Sequence, residues 1–120
     1  MSLVANIAVG LIAFVHVYIL VLEMFLWDKQ AGRNAFGEKP ADEVARTKVM
    51  AANQGLYNGF LAAGLFWSLS LGANGTSVKV FFLCCVLIAG LYGAASTRKI
   101  KILFFQAIPA AIALALVFLS

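Results

Sequence analysis

Histidine occurs once in the chain, at His16, and Glu23 follows seven residues later. Both lie in the run from Leu3 to Trp27, which carries no charge before Glu23. Seven residues are close to two helical turns, so the two side chains share a helix face about 10 Å apart along the axis. That distance forbids a direct bond, but a bridging group such as Tyr57 or Asn58 could join them. A histidine and a carboxylate so placed could move protons or act as an acid–base pair. A second set of polar side chains, Asn53, Gln54, Tyr57 and Asn58, falls within another long apolar stretch. Tyr92, Gln106 and the basic pair Arg98 and Lys99 complete the residues able to bind or activate a ligand. One His and one glutamate in apolar surroundings, with no Cys at ligand spacing, make no metal site. Phosphate-binding loops, dinucleotide fingerprints and serine triads are absent as well.

The elements that must hold these residues follow from composition. Of the 120 residues, 63% are hydrophobic and only 12% charged, against roughly 25% charged in ordinary soluble domains. So small a chain could not hide that much apolar surface from water, which makes the bilayer its solvent. The net charge of +4 does not point to nucleic acid, because the basic residues flank apolar runs and are mixed with acids. Cys84 and Cys85 are sequence neighbours, pointing about 100° apart on a helix, and read as two small apolar side chains rather than a disulfide.

Four membrane-spanning helices are expected, at about 3–27, 44–71, 78–96 and 100–119, in a single domain over 1–120. The first run has no Lys or Arg ahead of it and no small-x-small cleavage site after it, unlike a signal peptide. Trp27 suits the interface at its end. Residues 28–43 form the one long polar connection. Pro40 followed by Asp42 and Glu43 marks the start of the second helix, near Ala41. Ala51, Gly55, Gly59 and Ala63 recur every four residues, a face on which another backbone can approach closely. Asn74 and Gly75 mark a turn, and Thr76 or Ser77 could cap the third helix. Pro109 should kink the fourth. Lys29, Arg33, Lys39, Arg46 and Lys48 surround the first connection and Arg98, Lys99 and Lys101 the third, with Lys79 alone on the other side. The positive-inside rule therefore puts both termini on the non-cytoplasmic side of an inner (plasma) membrane.

Depth can then be matched between helices. If Trp27 and Lys48 mark the cytoplasmic edge, Glu23 comes level with Asn53, and His16 with Asn58 or Gly59. If Thr97 and Lys101 mark the same edge, Tyr92 and Gln106 fall near the depth of Glu23. Polar groups from four helices would converge one to two turns below the cytoplasmic surface.

Two resemblances bear on this expectation. His16, Glu23, Trp27, the run from Asn53 to Ala62, and Gln106 followed by Pro109 and Ala110 resemble a bacterial family of small four-helix membrane proteins of unknown function. The likeness covers nearly the whole chain and implies the topology but no activity. A more remote resemblance is to the membrane-associated proteins of eicosanoid and glutathione metabolism, which are four-helix homotrimers that bind glutathione or lipid between subunits near the cytoplasmic face. Asn53 and Tyr57 fit an Asn–Tyr pair of that group's second helix. Tyr92 fits a third-helix Tyr, with Arg98 or Lys99 in place of a catalytic Arg.

The expected protein is thus all-α: an up-down four-helix transmembrane bundle that forms a homo-oligomer, a trimer if the remote resemblance holds. It would bind, and could convert, a small amphipathic or thiol-bearing ligand among Glu23, Asn53, Gln54, Tyr57, Asn58, Tyr92 and Gln106. Glutathione enters as a cofactor by the remote resemblance alone. In an enzyme, Arg98 or Lys99 would stabilise a thiolate, and Glu23 or His16 would move protons. The alternatives are a proton-coupled carrier using His16 and Glu23, and a non-catalytic partner docking another protein on the Gly55/Gly59 face.

Overall fold

A computed structural model describes residues 3–120 and is all-α among them. Five helices are present: α1 (Leu3–Met24), α2 (Gln30–Phe36), α3 (Ala41–Ser70), α4 (Thr76–Thr97) and α5 (Ile100–Leu119). Three stretches are long and apolar enough to cross a membrane: Leu3–Met24, Gly72–Thr97 and Ile100–Leu119. With 30 residues α3 is the longest helix, yet it is not among them, because Asn53, Gln54, Tyr57 and Asn58 interrupt its apolar character. The residues divide into two compact units, Phe14–Phe60 and a second made of Leu61–Ser120 with α1 up to Ala13.

The second of these units has a continuous apolar core. Ala5, Val9, Ile12 and Ala13 of α1 pack with Leu65 of α3, Leu83 and Val86 of α4, and Ala110, Ala113 and Val117 of α5. Alanine and valine predominate, so backbones can approach closely where lipid supplies no hydrophobic drive. At Gly90 of α4 an added Cβ would lie 2.6 Å from the Ala107 backbone nitrogen. At Gly75, which ends a 3₁₀ turn over Gly72–Gly75, it would strike the Ser68 carbonyl oxygen. This turn replaces the expected cap: Gly75 stands at the N-cap of α4 with no side-chain hydrogen bond, and neither Thr76 nor Ser77 fills that place.

Pro109 acts one turn earlier than expected. Leu103–Ala107 forms a π-helical segment, and the Ile108 amide donates to the Leu103 carbonyl, five residues back. A proline removes one helical N–H, and its ring crowds the carbonyl four residues before it. Widening the preceding turn by one residue relieves that crowding and leaves the helix running on to Leu119.

The unit Phe14–Phe60 contains α2, which falls inside the stretch expected to be a plain connection. Its seven residues are held by tertiary contacts more than by propensity. Gly32 sits so close to the Leu26 and Trp27 carbonyls that a Cβ there would overlap Leu26 O. The Trp27 and Phe36 rings lie 5.2 Å apart, and the Lys39 ammonium stands 5.0 Å from the Trp27 ring. A pattern reading sees only a polar, glycine-containing segment there.

Gly90→Ala should destabilise the protein by about 1–3 kcal/mol, because the new methyl must displace backbone rather than a flexible side chain. Thermal unfolding in mild detergent, compared with Ala89→Gly at the exposed neighbouring position, would measure the difference.

Candidate functional site

In the unit Phe14–Phe60 the approach of α1 and α3 is set by two glycines. A Cβ on Gly55 would lie 2.6 Å from Met24 Cγ and 3.1 Å from the Leu20 carbonyl; one on Gly59 would lie 2.6 Å from Leu20 Cδ1. Met24 therefore fills the space beside Gly55 and Leu20 the space beside Gly59. The Gly55/Gly59 face, expected as a docking surface for another protein, is covered from within the chain by Leu20 and Met24.

Above this contact the Asn58 side-chain amide donates to Glu23 Oε1 at 2.7 Å and to the Gln54 carbonyl at 3.1 Å. The depth count had placed Asn53 level with Glu23, but the glycine contact moves the pairing five residues along α3 to Asn58. Asn58 is the one hydrogen-bond partner of Glu23 among the described residues, which leaves Oε2 of a half-buried carboxylate able to accept another donor. Gln54 lies one turn before Asn58 on the same side of α3 and is exposed. Asn53 and Tyr57 are exposed too. His16 is fully buried.

The cytoplasmic-end expectation for this unit has its own set of contacts. The Trp27 indole N–H donates to Thr47 Oγ1 at 3.2 Å, and Lys48 Nζ pairs with Asp28 Oδ2 at 3.0 Å. The Lys48 ammonium holds the Asp28 carboxyl below the usual carboxylate range. Arg33 donates to the Asp28 carbonyl at 3.3 Å.

The other site candidates belong to the second unit. Tyr92 is exposed on α4, and Gln106 is half-buried in the π segment of α5. Arg98 and Lys99 are exposed in the turn between α4 and α5. Arg98 closes α4 in the left-handed region, at φ 58°. The Thr97 hydroxyl supports that turn, donating to the Gly93 carbonyl at 2.6 Å and accepting from the Lys99 amide at 3.3 Å.

Sequence reasoning missed one polar pair altogether. Lys79 marks the non-cytoplasmic side in the charge count, yet its side chain is 1% exposed and donates to Asn6 Oδ1 at 2.7 Å. Lys79 lies in the first turn of α4, where the helix dipole disfavours a cation, so the Asn6 oxygen carries much of its stabilisation. An apolar reading of Leu3–Met24 passes over Asn6, and no local pattern joins residues 73 positions apart. Among the described residues no cluster of three or more His, Cys, Asp or Glu could hold a metal. Both cysteines are free thiols.

These features define an α-helical protein with membrane-length apolar helices and a few deliberately paired polar groups. Residues 10–118 match the profile of a family described as protein of unknown function (DUF1304), and the chain belongs to that family. It is similar to the uncharacterized protein YpaA of Lactococcus lactis subsp. lactis (strain IL1403), with 28% identity over 98 residues, covering 80% of this chain and 81% of that one. No solved structure matches the chain.

Asn6→Leu should cost about 1–3 kcal/mol, because it leaves a buried ammonium without its acceptor. Adding Lys79→Met should recover most of that loss, since removing both partners of a buried polar pair is close to neutral. Unfolding of both variants in detergent with increasing denaturant checks the pair; equal loss in the single and double variants would exclude it.

Proposed function

We propose that this chain is a four-helix integral membrane protein, with both termini non-cytoplasmic, that binds a small amphipathic ligand beside Glu23 near the cytoplasmic face. Support for the fourth span comes from α3 itself. Its C-terminal part supplies Leu65 to the apolar core shared with α1, α4 and α5. Its polar interruption is partly paired, through Asn58 and Glu23. The positive-inside count supports the orientation.

The observation that carries the ligand reading is the Glu23–Asn58 hydrogen bond at 2.7 Å. Asn58 holds one carboxylate oxygen and leaves the other able to accept a donor in a membrane setting, where an ionisable side chain is costly and usually functional. Gln54 supplies a further donor and acceptor one turn away. The matching ligand carries a hydrogen-bond donor, an amine, hydroxyl or thiol, on an apolar body that remains in lipid. The thiol version rests on the remote resemblance to the membrane-associated proteins of glutathione metabolism.

Native mass spectrometry of the gently solubilised protein should reveal a retained small mass. Glu23→Gln and Asn58→Ala should each lower its occupancy about tenfold or more, the share of one charge-assisted hydrogen bond. Unchanged retention in both variants would sink the reading.

A second reading is a proton-coupled carrier. It is favoured by the complete burial of His16 on the same helix as Glu23 and two turns before it. In proteoliposomes it predicts uptake that rises with a pH gradient and is lost with Glu23→Gln; gradient-independent flux would remove it.

A further inference from the structure

The polar side chains of α3 divide between two faces, and only one of them serves Glu23. Gln54 and Asn58 are one turn apart on the side of the carboxylate. Asn53 and Tyr57 are one turn apart on another side and are exposed, Tyr57 by 56%. Met50, 67% exposed, and Phe60, 57% exposed, continue that second face above and below.

The spacing of Met50, Asn53, Tyr57 and Phe60 is three, four and three residues. That is the seam of two helices packed along each other at small angle, with side chains interlocking. Lys48, exposed and paired with Asp28, marks the water-facing end. Asn53 then lies about 7 Å and Tyr57 about 13 Å further along the axis. In a spanning α3 an amide at that depth faces hydrocarbon, which offers it no hydrogen bond. A single amide in an otherwise apolar seam is the device that sets register and copy number in helical assemblies.

The choice of occupant follows from the chemistry of the amide. Its oxygen accepts and its NH₂ donates, so the side chain is complementary to itself across a symmetry axis. Two copies inserted in the same orientation bring the same residue to the same depth, as an isologous contact requires. We propose that this face of α3 docks against the same face of a second copy of the chain, with Asn53 of each paired across the axis. The assignment rests on the membrane-spanning reading of α3 given above. It goes beyond that reading by assigning Asn53 and Tyr57 to the contact between copies and leaving Glu23, Gln54 and Asn58 to the ligand.

The test is cross-linking in native membranes of a Tyr57→Cys variant whose own thiols are removed by Cys84→Ala and Cys85→Ala. Oxidation should give a band of twice the chain mass. Adding Asn53→Leu, which keeps the face apolar, should lower the cross-linked fraction about tenfold, as one interhelical amide pair in lipid allows. Circular dichroism of the purified variants confirms that the helices persist. A water-soluble maleimide is applied in parallel. A position-57 thiol that resists both the maleimide and cross-linking overturns the contact and leaves the fourth span standing. A thiol that the maleimide labels readily overturns the span and the contact together. Cross-linking that is unchanged by Asn53→Leu, or that captures only other proteins, overturns the self-association through Asn53.

Discussion

Met24 lies where a side chain on Gly55 would have been and Leu20 where one on Gly59 would have been, and the polar chemistry of residues 14–60 is built on that close approach. A Cβ at Gly59 would have to displace the Leu20 side chain, and one at Gly55 would displace Met24 and crowd Glu23 Cβ and the Leu20 carbonyl, both 3.1 Å away. The second crowding bears directly on the residue that hydrogen-bonds Asn58. A carboxylate facing hydrocarbon is expensive, and its partner must be in place when the helix is in place. Gly55 therefore packs directly against Glu23, and this close approach goes with the 2.7 Å bond from Asn58.

The same logic recurs elsewhere in the chain with different residues. Lys79 stands in the first turn of α4, at the end of the helix where a cation is least welcome, and Asn6 answers it from α1. Neither residue is explained by the helix that carries it. Gly75 and Gly90 let backbones meet at van der Waals distance, and the π turn before Pro109 absorbs a proline without ending the helix. At Lys79, Gly75 and Gly90 a locally unfavourable choice is offset by a contact formed only when the elements pack, whereas the π turn is closed within its own helix.

Membership in a family of unknown function, and likeness to an uncharacterized relative, leave the chemistry of the site to be argued from geometry. The four polar residues of α3 appear in the sequence as one cluster of uniform meaning. In the folded chain they separate: Asn58 binds Glu23, Gln54 lies beside it, and Asn53 and Tyr57 look outward. That separation divides one expected cluster into a pair beside Glu23 and an outward-facing pair, which different variants can test separately.

Composition and the length of apolar runs were enough to establish an all-α chain with membrane-length helices. Uninterrupted apolar runs of about twenty residues suit helices that cross hydrocarbon, and period and length are local properties. Pro40 with Asp42 and Glu43 marked where α3 begins, because helix ends are also local. The sequence also pointed to Glu23 as unusual, since charge in an apolar run is visible without a structure. Its partner Asn58 was visible only as one of two possible bridges, while the depth count set Asn53 level with it. Counting residues from the membrane edge assumes that two helices are level and straight, while the register is decided by which side chain fits which groove, here Met24 against Gly55 and Leu20 against Gly59. The short α2, the missing side-chain cap of α4 and the Asn6–Lys79 pair were illegible for the same reason. Asn6 and Lys79 are far apart in sequence, and the contacts of α2 and of Gly75, though between nearer residues, cross from one element to the next; only tertiary packing decides what those atoms meet.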